Sequence, residues 1–276
     1  MQETLRAIVL GIVQGASEFL PISSSGHLYL VPRLLGWHGE VESLSFDVAL
    51  HVGTTAAVVA YFWRDWLRMA AAFLRSAPQG PGAVWRDDRA RLVVLIAFGS
   101  VPAAVLGAAF TAFFEGDARN IWVVASMLIV FAVVLYVSDR LARQGRGFAA
   151  VGAADAVAIG LAQAVSLVPG VSRSGITISA GLLRGFDRAS ATRFSFLLST
   201  PAIVGATLLK SKDILDSSQA GGSEAVFIAG MLTAAVTGFL AIEALLRFVR
   251  VRNFDVFVAY RFVVGGGVLV AAAFGA

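Results

Sequence analysis

The chain has 276 residues, 58% of them hydrophobic and 14% charged, with a mean hydropathy of +0.79. A soluble domain carries roughly 25% charged residues, so the composition excludes one and points to lipid as the solvent. The net charge of +4 and pI of 9.9 are assigned to membrane topology and headgroup contact, with no nucleic-acid partner, and the lack of cysteine excludes disulfides and thiolate metal sites.

Residues 3–32 open the chain as an apolar segment interrupted by Gly, Pro and Ser. They are not expected to be a cleaved signal, because no basic region precedes them and Glu18 and Pro21 stand where small residues would be cut. Spans are then predicted over about 46–63, 92–114 and 120–138. A second interrupted segment covers about 150–183, and further spans are predicted over about 194–209, 225–248 and 255–275. Residues 92–114 run 23 positions without a charge, and 121–138 and 225–242 run 18 each. About 20 apolar residues cross the ~30 Å hydrocarbon layer. The expected fold is an all-α polytopic membrane protein with about six transmembrane helices plus the two interrupted segments.

Those two segments align at an offset of 149. Ala7, Gly11, Gln14, Ser17, Ser23, Ser25 and Gly26 fall on Ala156, Gly160, Gln163, Ser166, Ser172, Ser174 and Gly175, seven identities in positions 7–26. An internal duplication follows, with repeat 1 over about 1–140 and repeat 2 over about 150–276 of a single membrane domain. Loop charges reverse between the halves. The 64–91 loop holds Arg64, Arg68, Arg75, Arg86, Arg89 and Arg91 against three aspartates, whereas 115–119 holds Glu115 and Asp117 against Arg119. In the second half, 210–224 has two lysines against Asp213, Asp216 and Glu224, and the next loop carries Arg247, Arg250 and Arg252. Lys/Arg-rich short loops stay cytoplasmic, so the repeats are expected to be inverted, with both termini outside. That parity requires 1–45 and 150–192 to be re-entrant hairpins, and paired interrupted segments of this kind point to a binding site.

The hairpin tips read PISSSGH (21–27) and PGVSRSG (169–175). Hydroxyls, backbone N–H groups and helix N-termini suit an anion, and Arg173 adds a guanidinium shaped for phosphate. Ser24 and His27, three apart, are expected to share a face, so that His27 deprotonates a serine or water. Gln14 and Glu18 lie one turn apart and point into the same cavity, where a divalent cation or a proton would offset repulsion between Glu18 and phosphate. The competing readings are structural: serines bonding their own backbone, a structural His27, and a Glu18–Arg173 ion pair tying the hairpins together.

The stretches GIVQGASEFLPISSSGH and PGVSRSGIT, with FDVALHVGT, VPAAVLG and FSFLLSTPAIVGA, resemble the undecaprenyl-diphosphate phosphatase (bacitracin-resistance) family over essentially the full length. The resemblance implies hydrolysis of undecaprenyl diphosphate to undecaprenyl phosphate and phosphate outside the bacterial cytoplasmic (inner) membrane. That reaction regenerates the lipid carrier for peptidoglycan and other envelope polymers. It places the acidic motif on Gln14 and Glu18, the serine–histidine motif on Ser24 and His27, and the phosphate-binding arginine on Arg173. Ser172 and Ser174 flank that arginine in the same signature, and Gln14, Ser23, Ser25, Gly26, Ser172, Ser174 and Gly175 are expected to bind substrate. It also implies a divalent cation at Glu18, Mg²⁺ first and Ca²⁺ second. Gln14 departs from members with Glu there, which leaves Glu18 most of any metal or proton role.

On this reading Ser24 attacks the terminal phosphorus with His27 as its base, while direct attack by a His27-activated water and a phosphohistidine stay open. The partners are the polyprenyl diphosphate and membrane lipids, and a homodimer is compatible with the sequence. A transporter or flippase of a polyprenyl phosphate, using the same tips for binding only, is the alternative. Elsewhere, His51 and Thr54 are expected to support the first tip, Asp155 to serve a helix N-terminus, and Glu243–Arg247 to form an interfacial pair. Arg261, beside Tyr260 in the last span, is expected to snorkel or to support the site.

Overall fold

Apolar runs punctuated by Pro, Gly and capping residues fold into helices throughout the computed structural model, which describes residues 2–219 and 223–274. In chain order these are α1 (Gln2–Phe19), α2 (Ser24–Leu34), α3 (Leu44–Ser76), α4 (Pro81–Arg86), α5 (Asp88–Glu115) and α6 (Ile121–Leu141). They continue with α7 (Ala153–Val165), α8 (Arg173–Leu183), α9 (Arg188–Gln219), α10 (Glu224–Phe248) and α11 (Asp255–Ala273). Ser43, Asp87 and Asn120 cap α3, α5 and α6 through side-chain oxygens that accept backbone N–H bonds. Among the described residues, five helical stretches are long and apolar enough to cross a membrane: Leu44–Gln79, Asp88–Phe110, Ile121–Leu141, Glu224–Phe248 and Asp255–Ala273. The chain is a multi-pass membrane protein.

Two boundaries differ from the sequence reading. Residues 64–76, expected in a loop, continue α3 to Ser76, because nothing in this Ala-, Leu- and Arg-rich stretch breaks a helix before Pro78 and Gly80. The 33 residues of α3 rise about 50 Å, so its arginine-rich end projects past a ~30 Å hydrocarbon layer. The span expected over 194–209 lies within α9, which begins at Arg188 and runs through Pro201 to Gln219. Of the loop expected over 210–224, the side chains of 210–219 and all of 220–222 fall outside the described residues.

By contrast α2, α7 and α8 have 11, 13 and 11 residues and rise only about 16–20 Å each, too short to cross alone. Their partners are exchanged between the halves: α1 packs along α10, and α7 packs along α5. Glycines make both contacts close. A Cβ on Gly11 would meet the Gly230 carbonyl oxygen at 2.6 Å, and one on Gly160 would overlap the carbonyl oxygen of Gly99. Small residues at helix crossings let backbones approach in this way. Gly11 and Gly160 are the pair related by the offset of 149. Beneath the tips Phe19, Phe62 and Phe196 form a buried aromatic cluster, with Phe19 edge-on to Phe196 at 5.6 Å.

Candidate active site

The two tips repeat one local geometry. Ser23 and Ser172 both take left-handed backbone, with φ of 78° and 73°, which is uncommon for a residue with a side chain and clusters at functional sites. Each caps the helix that follows. Ser23 Oγ accepts the Gly26 N–H at 3.4 Å, and Ser172 Oγ accepts the Gly175 N–H at 3.2 Å. Ser23 pairs with Ser25, and Ser172 with Ser174, both at 3.3 Å between hydroxyls. The tips also grip each other, because the Gly170 N–H donates to Ser25 Oγ at 3.5 Å and Ser174 Oγ donates to the Leu20 carbonyl at 3.0 Å.

The position between the paired serines differs. It is Ser24 in one tip and Arg173 in the other, and both reach the same carboxylate. Glu18, in the last turn of α1 and only 7% exposed, accepts from Ser24 Oγ at 2.5 Å through Oε2 and from Arg173 Nη2 at 2.7 Å through Oε1. Gln14, one turn earlier, donates to Glu18 Oε2 at 3.2 Å and to Thr54 Oγ1 at 3.5 Å. His51 Nε2 lies 3.8 Å from Glu18 Oε2, while its Nδ1 bonds the Asp47 carbonyl at 2.8 Å. Two buried polar atoms of this cluster have no partner: Arg173 Nη1 and Gln14 Oε1. Buried polar atoms are normally satisfied, so orphans on either side of one carboxylate mark a place for a ligand.

Ser24 and His27, expected to share a face, hydrogen-bond to other groups in this structure. Ser24 is the first residue of α2, and its hydroxyl reaches back across the turn to α1. The His27 ring instead folds onto its own helix, with Nδ1 2.7 Å from the Ser23 carbonyl and Nε2 2.6 Å from the Tyr260 hydroxyl. Tyr260 also stacks on the ring, with centroids 5.6 Å apart. Both imidazole nitrogens are thereby engaged away from Ser24.

Arg261, next along α11, does not snorkel. It is fully buried and donates to five carbonyls: Leu128 at 3.0 Å, Met127 at 3.2 Å, Pro21 at 3.2 Å, Gly170 at 3.0 Å and Val171 at 3.1 Å. Pro21 belongs to one tip, and Gly170 and Val171 to the other, so this guanidinium clamps the two together. Its neighbour Tyr260 is the residue that sequence reasoning gave no role; only its place beside a charged residue in an apolar span hinted at one.

Gln14, Glu18, Ser24 and Arg173 thus converge as expected, with His51 and Thr54 at their edge. The hydroxyls of Ser23, Ser25, Ser172 and Ser174, and the N–H groups of Gly26 and Gly175, are engaged within and between the tips. Asp155 accepts the Gly152 N–H at the start of α7 and also binds Arg146 at 2.6 Å and Arg184 at 2.7 Å. Glu243 pairs with Arg247 and also accepts from the Tyr61 hydroxyl.

Among the described residues no group of three or more His, Asp or Glu is placed to hold a metal. The donors available to a cation are Glu18 and the orphaned Gln14 Oε1. Such a set suits an ion that takes most of its oxygens from substrate phosphates and water, as Mg²⁺ does, better than Ca²⁺, which takes six to eight oxygen ligands.

The sequence also matches known proteins along its length. The family model described as bacitracin resistance protein BacA covers residues 7–267. The undecaprenyl-diphosphatase of Rubrobacter xylanophilus is 46% identical, over 99% of this chain and 98% of its own. Proteins of the same name from Elusimicrobium minutum and a Nocardioides species are 42% and 41% identical. They cover 98% and 100% of this chain, and 98% of their own length in both cases.

Proposed function

The chain belongs to the bacitracin resistance protein BacA family, and from that membership we propose that it hydrolyses undecaprenyl diphosphate to undecaprenyl phosphate and inorganic phosphate. The observation that carries the chemistry is the convergence of Ser24 and Arg173 on Glu18. Arg173 leaves Glu18 for the terminal phosphate, with Nη1 already free to bind it. Glu18 Oε2 takes the Ser24 proton as Oγ bonds to the terminal phosphorus and the bond from that phosphorus to the bridging oxygen breaks. Undecaprenyl phosphate departs. Water then displaces Oγ from the phosphoserine, releasing phosphate and returning the proton through Glu18. His27 acts as a positioning residue, with Nδ1 on the Ser23 carbonyl and Nε2 held by the Tyr260 hydroxyl. Glu18 and Gln14 Oε1 would hold the divalent cation, which when bound neutralises phosphate charge in the site.

The architecture that supports this reading is an inverted repeat, over about 1–140 and 150–276, with α1–α2 and α7–α8 as re-entrant hairpins. The shortness of α2, α7 and α8, the matching serine turns and the exchanged glycine contacts all favour it. Irregular backbone at membrane depth is tolerated where protein buries it or a cavity wets it. We place the chain in the inner membrane, and the loop charges support an orientation with the site toward the exterior and both termini outside. A diphosphate in the polar cavity and a polyprenyl tail in lipid suit that arrangement.

Purified protein supplied with undecaprenyl diphosphate and Mg²⁺ tests the activity: it releases phosphate, and Arg173→Ala does so roughly 10²–10³-fold more slowly. No release by the folded protein overturns the proposal. Labelling of single cysteines at Arg86 from outside intact cells overturns the topology alone.

A further inference from the structure

A second cluster of charge lies at the far end of α3. Along this continuous helix Arg68 is 14 residues beyond Thr54, about 21 Å from the Glu18 cluster. A cavity of about 410 Å³ opens there between α3, the start of α5, the 142–152 linker and α9. Its floor is apolar, made by Met69, Leu92 and Leu197, while Arg68, Arg89, Arg193, Asp65 and Asp88 provide the charge.

The pairing of those charges is uneven. Asp65 is neutralised by Arg193 at 2.6 Å and Asp88 by Arg91 at 2.9 Å. Arg193 is further fixed between the rings of Phe62 and Phe148. Among the described residues no carboxylate lies at ion-pair distance from Arg68 or Arg89; Arg89 acts on neighbouring Asp87 only through space, and both wall carboxylates are already matched by other arginines. Arg91, which also donates to the Ala149 carbonyl on the cavity wall, has a buried Nε without a partner. Surplus donors above an apolar floor suit a group with a phosphate head and an acyl body. Guanidinium groups match phosphate oxygens in pairs. The surrounding segment has the marks of a membrane edge, with Trp63, Leu67, Leu74 and Trp85 all exposed beside the arginines.

We propose that this cavity is a second, non-catalytic anion site that takes the phosphate head of an anionic membrane lipid, held by Arg68 and Arg89 on the arginine-rich face. Basic pockets between transmembrane helices are a recognised form of lipid headgroup recognition. Free inorganic phosphate shares the headgroup chemistry but gains nothing from the apolar floor.

Native mass spectrometry of the detergent-solubilised full chain, titrated with phosphatidylglycerol, phosphatidylcholine or inorganic phosphate, tests this. The proteins are wild type, Arg68→Gln/Arg89→Gln, and Arg64→Gln/Arg75→Gln, which removes two charges of the same face outside the cavity. The Arg68/Arg89 variant is expected to bind phosphatidylglycerol roughly 10- to 30-fold more weakly. The Arg64/Arg75 variant is expected to bind it like wild type, and all three to bind phosphatidylcholine alike. Unchanged thermal unfolding of the Arg68/Arg89 variant shows that its fold is intact. Equal phosphatidylglycerol binding by wild type and the Arg68/Arg89 variant, or equal weakening in both variants, overturns the site. Arginine-dependent binding of inorganic phosphate without arginine-dependent binding of phosphatidylglycerol overturns the lipid as its ligand.

Discussion

Ser24 Oγ donates to Glu18 Oε2 at 2.5 Å, across the turn between α1 and α2, so the hydroxyl is paired with a carboxylate before any substrate arrives. The same carboxylate holds Arg173 on its other oxygen. In the proposed reaction this pairing gives the serine a proton acceptor and holds Arg173 until a phosphate replaces Glu18 as its partner.

Glu18→Gln removes the acceptor while keeping shape. General-base contributions are typically 10²–10⁴-fold, so phosphate release is expected to fall by that order with the variant still folded. With His27 as a positioning residue, His27→Gln and Tyr260→Phe are expected to cost far less, roughly tenfold or below, mainly in kcat. Steady-state kinetics of the three variants checks the ranking; His27→Gln falling as far as Glu18→Gln would restore the histidine as the base.

Arg173→Ala is expected to lose about 3–4 kcal/mol of transition-state stabilisation, the order found for charge-stabilising groups in excluded sites. Arg173→Lys keeps the charge but not the fork, and an intermediate loss in kcat/KM is expected. Equal kcat/KM for lysine and arginine would mean that bidentate geometry is unimportant.

Much of this was legible in the chain, for a physical reason. A duplicated sequence carries its own alignment, and the offset of 149 set Ser24 against Arg173 before any geometry was known. Composition located the long apolar helices, because bilayer thickness fixes their length. What stayed hidden depends on neighbours far apart in sequence. The partner of His27 is 233 positions away at Tyr260, and the five carbonyls of Arg261 come from three separate stretches. Spacing alone suggested that His27 faces Ser24, and it could not show that the ring nitrogens meet the Ser23 carbonyl and the Tyr260 hydroxyl.

Arg261→Met takes the guanidinium donor from the three tip carbonyls of Pro21, Gly170 and Val171, while Met127 and Leu128 keep their helical bonds within α6. Each unsatisfied buried acceptor costs ~1–3 kcal/mol, so a destabilisation beyond ~3 kcal/mol is expected even after relaxation. Thermal unfolding in detergent reads it, and phosphate release falls with it because Pro21, Gly170 and Val171 lose their clamp. An unchanged unfolding temperature would contradict the clamp.

Gly160→Val drives a side chain into the backbone of α5 at Gly99, whereas Gly266→Ala meets nothing within 4 Å. The first is expected to lower both stability and kcat by displacing the second tip, and the second to leave both within error. Equal behaviour of the two would remove the link between that helix crossing and the site.

Gln14→Glu adds a carboxylate one turn from Glu18. The Mg²⁺ concentration for half-maximal phosphate release is expected to fall several-fold, and chelator is expected to stop both proteins. A Mg²⁺ requirement that does not move would place the cation elsewhere.

In the proposed reaction Glu18 and Ser24 act together on a phosphate held by Arg173. Single-turnover phosphate release from undecaprenyl diphosphate, with folded wild-type and Ser24→Ala protein in excess over substrate, tests it most directly. The account predicts release within one turnover by wild type and a rate at least roughly 100-fold slower without the hydroxyl. Equal rates would contradict it.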